Sequence, residues 1–325
     1  MRTFLSLLVL LVAALGAGGG YFYWRASQGV SASALEAAYA TPADRFVDVD
    51  GARVRVREEG PAGAPPVLLV HGFTHSLETW DAWADDLKAD YRVIRYDLLG
   101  HGLTGPDAQE RYAPTQRAAF VGAVMDALAI ERAVIVGNSL GGLAAWRFAA
   151  GAPDRVAALT LVAPGAFPFN GVGDEPAPIP AAVKAYLMTA PEAGVKASAD
   201  VIYADDAKVT DARLETMRAM MRREGNGAAF VRSLEMFTLP DPVAALGAIQ
   251  APTLILWGEG DVLLPIDQAE RVRDAIPGAR LITYPGVGHA PQEEAPAKTL
   301  ADFRAFLRDD APADRQASAG DEGAL

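Results

Sequence analysis

The chain contains no cysteine among its 325 residues. That absence excludes disulfides, thiolate metal sites, iron–sulfur ligation and a cysteine nucleophile together, and it leaves the redox compartment open, because a chain without thiols is indifferent to it. Histidine is scarce, with four residues at positions 71, 75, 101 and 289. They are scattered, no H-E-x-x-H occurs, and no G-x-G-x-x-G follows a strand-like run, so neither a metal nor a dinucleotide cofactor is expected. Positive charge is in deficit: 29 Lys and Arg stand against 41 Asp and Glu, a net charge of −12. No basic stripe offsets it, the field repels phosphate backbones, and nucleic acid is excluded as a partner.

What is present suffices for a folded protein, with 51% apolar and 22% charged residues. The length fits one large catalytic domain with an insertion, or two ordinary domains. Arg2 precedes an uncharged run over residues 3–24 that ends in the aromatics 21–24 and Arg25. About 20 apolar residues can cross a bilayer, so residues 1–25 read as an N-terminal membrane anchor. The rival is a cleaved signal peptide, since the densest apolar part is short and small residues follow it. The first reading anchors the chain with its catalytic domain exported, periplasmic in a bacterium; the second secretes it. Residues 26–44, Ala-rich and polar, read as a tether or short helix.

From residue 45 the pattern alternates between strand-like and helix-like segments, as in α/β folds with a mostly parallel sheet. Residues 46–49 and 52–57 flank Asp50-Gly51, a hairpin signal. Apolar runs at 66–70, 91–96, 133–136 and 158–162 read as buried parallel strands, with a helix over 115–129. The alternation stops after Ala163-Pro164. Helix-like stretches at 181–189, 211–224 and 228–237 follow, before a strand at 252–257, a helix at 268–275, a strand at 280–284 and a closing helix at 299–307. The expectation is a doubly wound core over 45–164 and 246–310, an inserted helical cap over 165–245, and a disordered tail over 311–325.

Gly137-Asn138-Ser139-Leu140-Gly141-Gly142 lies between a strand-like and a helix-like run. This is G-x-S-x-G in a strand–turn–helix setting, where the tight turn holds a serine hydroxyl out and demands small neighbours. A hydroxyl needs a base, and His289 in Gly286-Val287-Gly288-His289-Ala290 sits in a loop after the last strand, where such sheets build their active-site rim. His71, His75 and His101 fit structural or peripheral roles better. The acid that holds one imidazole nitrogen is assigned to Asp261, after the strand 252–257, with Glu259 as its near competitor. Glu293 and Glu294 read as a solvated pair. The oxyanion donors are expected to be the backbone N–H groups of Leu140 and Phe73.

His71-Gly72-Phe73, Asp97-Leu98-Leu99-Gly100-His101-Gly102, the Ser139 turn, Trp257-Gly258-Glu259-Gly260-Asp261 and Gly288-His289 resemble, in order and spacing, the α/β-hydrolase superfamily across roughly residues 45–308. The resemblance implies an α/β-hydrolase fold of about eight strands with helices on both faces and a helical cap inserted after the sixth. Gly-Asn-Ser-hydrophobic-Gly-Gly is similar to the carboxylesterase and C–C bond hydrolase branch. Ser139 argues against haloalkane dehalogenases and epoxide hydrolases, which carry Asp there. C–C hydrolases of ring-cleavage pathways have a Gly-rich stretch after His-Gly and a Trp after the catalytic His; here Phe73-Thr74-His75 and Ala290 stand instead.

The expected activity is therefore a serine carboxylesterase acting on small or medium apolar esters. The alternatives are a C–C bond hydrolase of meta-cleavage-product type and a non-catalytic ligand receptor on the same scaffold. Met188, Met217, Met220, Met221, Met236, Phe230 and Phe237 offer either an apolar acyl pocket or ordinary packing. Arg218, Arg222 and Arg223 offer either a contact for a carboxylated substrate or a solvated face.

Overall fold

The computed structural model describes residues 23–309. Eight strands form one sheet: β1 (Asp44–Val49), β2 (Ala52–Glu59), β3 (Pro66–Val70), β4 (Arg92–Tyr96), β5 (Ala133–Asn138), β6 (Val156–Val162), β7 (Thr253–Gly258) and β8 (Arg280–Tyr284). Their order is β1-β2-β4-β3-β5-β6-β7-β8. β1 and β2 make the expected hairpin, with positive φ at both Asp50 and Gly51 as a two-residue turn of matching twist requires. β2 is antiparallel to β4, and the remaining pairs are parallel.

A strand buried on both faces sends alternate residues to opposite sides. Leu68, Val70, Ile94 and Tyr96 pack with Val121 and Trp146 on one face. Val67, Leu69 and Val93 pack with Trp80, Trp83 and Phe303 on the other. Between β6 and β7 the chain forms the helices Ala181–Thr189, Glu192–Ile202, Asp211–Met221 and Asn226–Glu235. The second of these was not expected from the sequence. Its buried stripe is only Val195, Ala199 and Ile202, spaced by four and three residues, and polar residues and Gly194 dilute the period. These helices share their own cluster, including Leu187, Val195, Ile202, Met217 and Phe230.

The expected membrane anchor is corrected. No helix among the described residues is long and apolar enough to cross a membrane, a task that takes about 20 apolar residues. Residues 1–22 of the expected anchor, and the expected tail over 311–325, lie outside the described residues. From Val30 onward the chain is held against the protein. Val30 N–H donates to Arg222 O at 2.6 Å, and the helix Ala32–Tyr39 starts at a Ser31 cap. Leu35 of that helix is buried against Leu103 and Met220.

Candidate active site

The turn from β5 into the helix Leu140–Gly151 places Ser139 at φ 52° and ψ −113°, a conformation that L-residues adopt only when their surroundings impose it. The surroundings are backbone. Ser139 N–H donates to Val162 O at 3.0 Å, and Ser139 O accepts from Leu143 at 2.9 Å and Gly165 at 3.1 Å. A Cβ at Gly137 would stand 2.4 Å from Gly141 O, and one at Gly141 would stand 2.3 Å from Val70 O. Strand and helix approach this closely only without side chains, which is why glycines flank the serine. Ser139 itself is half-buried between buried neighbours.

His289 follows β8 on a loop and is brought against Asp261 from the loop after β7. Its Nδ1 donates to Asp261 Oδ2 at 2.7 Å. The other carboxylate oxygen accepts from Leu263 N–H and Leu264 N–H, both at 2.9 Å, so the acid is fixed before it meets the ring. A carboxylate only accepts, so Nδ1 carries the proton and Nε2 is left with a lone pair, the form a general base needs. Glu259, the competitor for this role, instead accepts from Thr283 on the exposed side at 2.8 Å. Ser139 and His289 line the same two chambers. Phe73 and Leu140 line the second of them beside Ser139. Among the described residues neither of their backbone N–H groups donates to another protein group.

Three supports of His289 escaped sequence reasoning. Asn138 Nδ2 donates both to Val162 O at 3.1 Å and to His289 O at 3.2 Å, tying the serine turn to the histidine loop. His289 N–H donates to Ile202 O at 2.7 Å, at the end of an inserted helix. Glu294, expected to be solvated, is buried. It accepts from Gly288 N–H at 2.7 Å through one oxygen, and from Ala204 and Asp205 N–H at 2.9 and 3.2 Å through the other. Burial pushes its carboxyl up, and these three hydrogen bonds act against that shift. Glu293 is nearly buried too, paired with Arg213 at 3.0 Å. The acidic letters could be read from the sequence; the empty donors they serve come from distant loops.

Two of the remaining histidines, His71 and His101, hold structure, and His75 lines the chamber that holds Ser139. His71 Nδ1 donates to Gly72 O at 2.8 Å and Nε2 accepts from Leu98 N–H at 2.9 Å. Burial brings it down to about 3, so it stays neutral and pins the loop after β3 to the one after β4. His101 is buried, its pKa also depressed by burial, with its ring against Phe73 and Phe230.

The two chambers have volumes of about 210 and 230 Å³ and share Phe73, Ser139, Leu234, Leu263 and His289. The first continues along Val183, Tyr186, Leu187 and Ile202; the second along Leu140, Phe169, Phe237 and Leu264. Of the seven Met and Phe residues considered from sequence, Phe237 lines a chamber. Met217, Met220, Met221 and Phe230 are buried in packing. None of Arg218, Arg222 and Arg223 lines either chamber: Arg218 donates to Ala190 O and Arg223 to Glu224 O.

Comparison with known proteins bears on the fold and the family. The chain is 33% identical over 291 residues to the dihydrolipoyllysine-residue acetyltransferase component of an acetoin cleaving system from Cupriavidus necator, covering 84% of this chain and 73% of that protein. It is 33% identical to a 2-hydroxy-6-oxononadienedioate/2-hydroxy-6-oxononatrienedioate hydrolase from Cupriavidus pinatubonensis, covering 77% and 90%. A solved bacterial membrane phospholipase A shares the fold at a TM-score of 0.69 and 24% identity, covering 95% of this chain and 98% of that one. Residues 65–296 match the model of the alpha/beta hydrolase fold family, and the chain belongs to that family.

Proposed function

We propose that the protein is a serine hydrolase that cleaves carboxylic esters of apolar acids through an acyl-enzyme. Ser139 attacks the ester carbonyl as His289 Nε2 takes its proton, and Asp261 stabilises the imidazolium. The N–H groups of Phe73 and Leu140 receive the oxyanion. The alcohol leaves with the proton from His289, and water, deprotonated by the same ring, releases the acid. Residues 165–245 act as the cap that closes the site, and 45–164 with 246–310 as the catalytic core.

The observation that carries the ester reading is the lining of the two chambers. Both are walled mainly by aliphatic and aromatic side chains, and neither contains a Lys or Arg among the described residues. The hydrolase from Cupriavidus pinatubonensis is named for a dioate, and taking such a dianion out of water requires cations or several donors at its carboxylates. The second reading, C–C bond hydrolysis of that substrate type, draws its support from that relative and lacks such cations here.

The test is hydrolysis of nitrophenyl esters of increasing acyl length by the full chain and by Ser139→Ala. Turnover is expected in the native protein, with a loss of about 10⁴-fold or more in the variant. Folded protein that is inert on every ester, yet cleaves a carboxylated dienoate in a Ser139-dependent way, would overturn the ester reading in favour of the second.

A further inference from the structure

A groove of about 530 Å³ runs between the helices Pro114–Ala127, Leu140–Gly151 and Val243–Leu246, and it shares no wall residue with the two chambers. Its volume is within the range of roughly 300–1,000 Å³ common to small-molecule sites. The wall is almost wholly apolar, with Ala118, Ala119, Trp146, Phe148 and Ala245 in it, and it holds no acidic side chain among the described residues. Its one charged group is Arg147.

Arg147 is half-buried, and among the described residues it forms no hydrogen bond and no ion pair. Its guanidinium carbon lies 4.6 Å from the centre of the Trp146 ring, which is itself held in place by donation from Nε1 to Gly165 O at 2.9 Å. Burial alone acts on the guanidinium and pulls it below the ordinary arginine value, with no carboxylate near enough to oppose the shift. In a chain of 41 acidic residues, a partly desolvated cation without any of them is a cost that an anion would remove. Nε is closed to solvent, whereas the two terminal nitrogens are not. A guanidinium with that end free takes a carboxylate through two parallel N–H···O bonds. One cation balances one negative charge, and the only other polar side chain of the wall with a free group is the single hydroxyl of Thr115, so a second carboxylate or a phosphate dianion would be left unmatched.

We infer that this groove is a second ligand site, separate from the catalytic chambers, and that it binds the monoanion of an apolar carboxylic acid. The carboxylate sits on the terminal nitrogens of Arg147, and the hydrocarbon lies along Ala118, Ala119 and Ala245. Each methylene laid against that wall strengthens binding by up to about fourfold. The acid released by the ester reaction proposed above belongs to this class. That identification rests on the ester reading, whereas binding in the groove requires no turnover.

The test is equilibrium dialysis of decanoate, below its micelle-forming concentration, and of decanol against the native full chain, Arg147→Met and Ala119→Phe. The chambers also take up apolar acids, so the number of sites is read as well as the affinity. Native protein should bind decanoate at two sites. Arg147→Met keeps an apolar side chain of similar length and should weaken one of them about tenfold or more, the effect of losing a charge-assisted hydrogen-bonded pair, while leaving decanol binding unchanged. Ala119→Phe, at an exposed position of its helix, should fill the groove and leave one site for either ligand. The two substitutions are independent, so one suffices if the other fails to fold. A single decanoate site in the native chain, decanoate binding untouched by Arg147→Met, or two sites retained in Ala119→Phe would overturn the groove as an acid site. Folded protein that is inert on every ester yet binds decanoate at two sites would overturn the ester reading and leave the groove standing.

Discussion

The Ser139 side and the His289 side of the site are built by different means. Ser139 is held by main chain alone: its own N–H and C=O are bonded to β6, to the loop after it and to the next helical turn. The glycines at 137 and 141 are there because anything larger would overlap carbonyl oxygens. His289 is held by side chains and loops from four places in the chain, namely Asp261, Asn138, Glu294 and the end of the helix Glu192–Ile202. The first arrangement has no slack and no alternative packing. The second is a set of separable hydrogen bonds, one of which also holds the inserted helices through Ala204 and Asp205. The difference implies that added bulk in the Ser139 turn registers as lost folding, and damage to the supports of His289 as lost rate in a folded protein.

The largest expected effect falls on the Ser139 side. In Gly141→Ala the added carbon would lie 2.3 Å from Val70 O and 2.5 Å from His71 O, both main-chain atoms of a central strand end that cannot rotate away. The expected cost is about 3 kcal/mol or more, at the severe end for overpacking. Gly151→Ala at the end of the same helix is the control, since nothing lies within 4 Å of the new carbon. It should be neutral or stabilising by about 0.5–1 kcal/mol. Denaturant melts of both variants check the contrast, and equal midpoints would remove the claim that the Ser139 turn is sterically closed.

This contrast also explains what could be read in the sequence. The Ser139 turn is local, so G-x-S-x-G between an apolar strand and a helix carries its own geometry, and the flanking glycines are visible as letters. Strands buried on both faces were equally legible: the run at 66–70 coincides with β3 (Pro66–Val70). The helix Glu192–Ile202 was lost because three buried residues in eleven leave little period to detect. Glu294 was misread for a different reason. An acid beside another acid in a polar loop is ordinarily solvated, and only the fold brings Gly288, Ala204 and Asp205 N–H groups around it. Its role depends on residues about 90 positions away, which no short window contains.

Glu294→Gln is the intermediate case. The amide has nearly the same shape, but one of its two ends becomes NH₂, which confronts either Gly288 N–H or the pair at Ala204 and Asp205 with a donor instead of an acceptor. The histidine loop then loses its fixed position relative to Ser139, and misplacement by about 1 Å is worth on the order of 10²-fold. A fall of about 10- to 100-fold in kcat on a nitrophenyl ester is expected, with KM little changed and a cooperative melt retained. A variant that melts early yet keeps the native kcat would show that Glu294 serves only stability, and the two sides of the site would then differ less than argued.

The smallest effect separates the two chambers. The first is lined by Val183 and Val201, which are 36% and 41% exposed. The second holds Leu140, whose N–H is a proposed oxyanion donor, and ends at Phe169 and Phe237 without any charged side chain. An acyl chain gains more from the second, because each methylene buried there is worth about 0.8 kcal/mol, close to fourfold in kcat/KM. Phe237→Ala should therefore move the optimum of a nitrophenyl ester series towards longer acids, by about fourfold for each carbon newly accommodated. Leu187→Ala, in the first chamber, should leave that optimum in place. The reverse result would put the acyl chain under Leu187 and turn the alcohol towards Phe237.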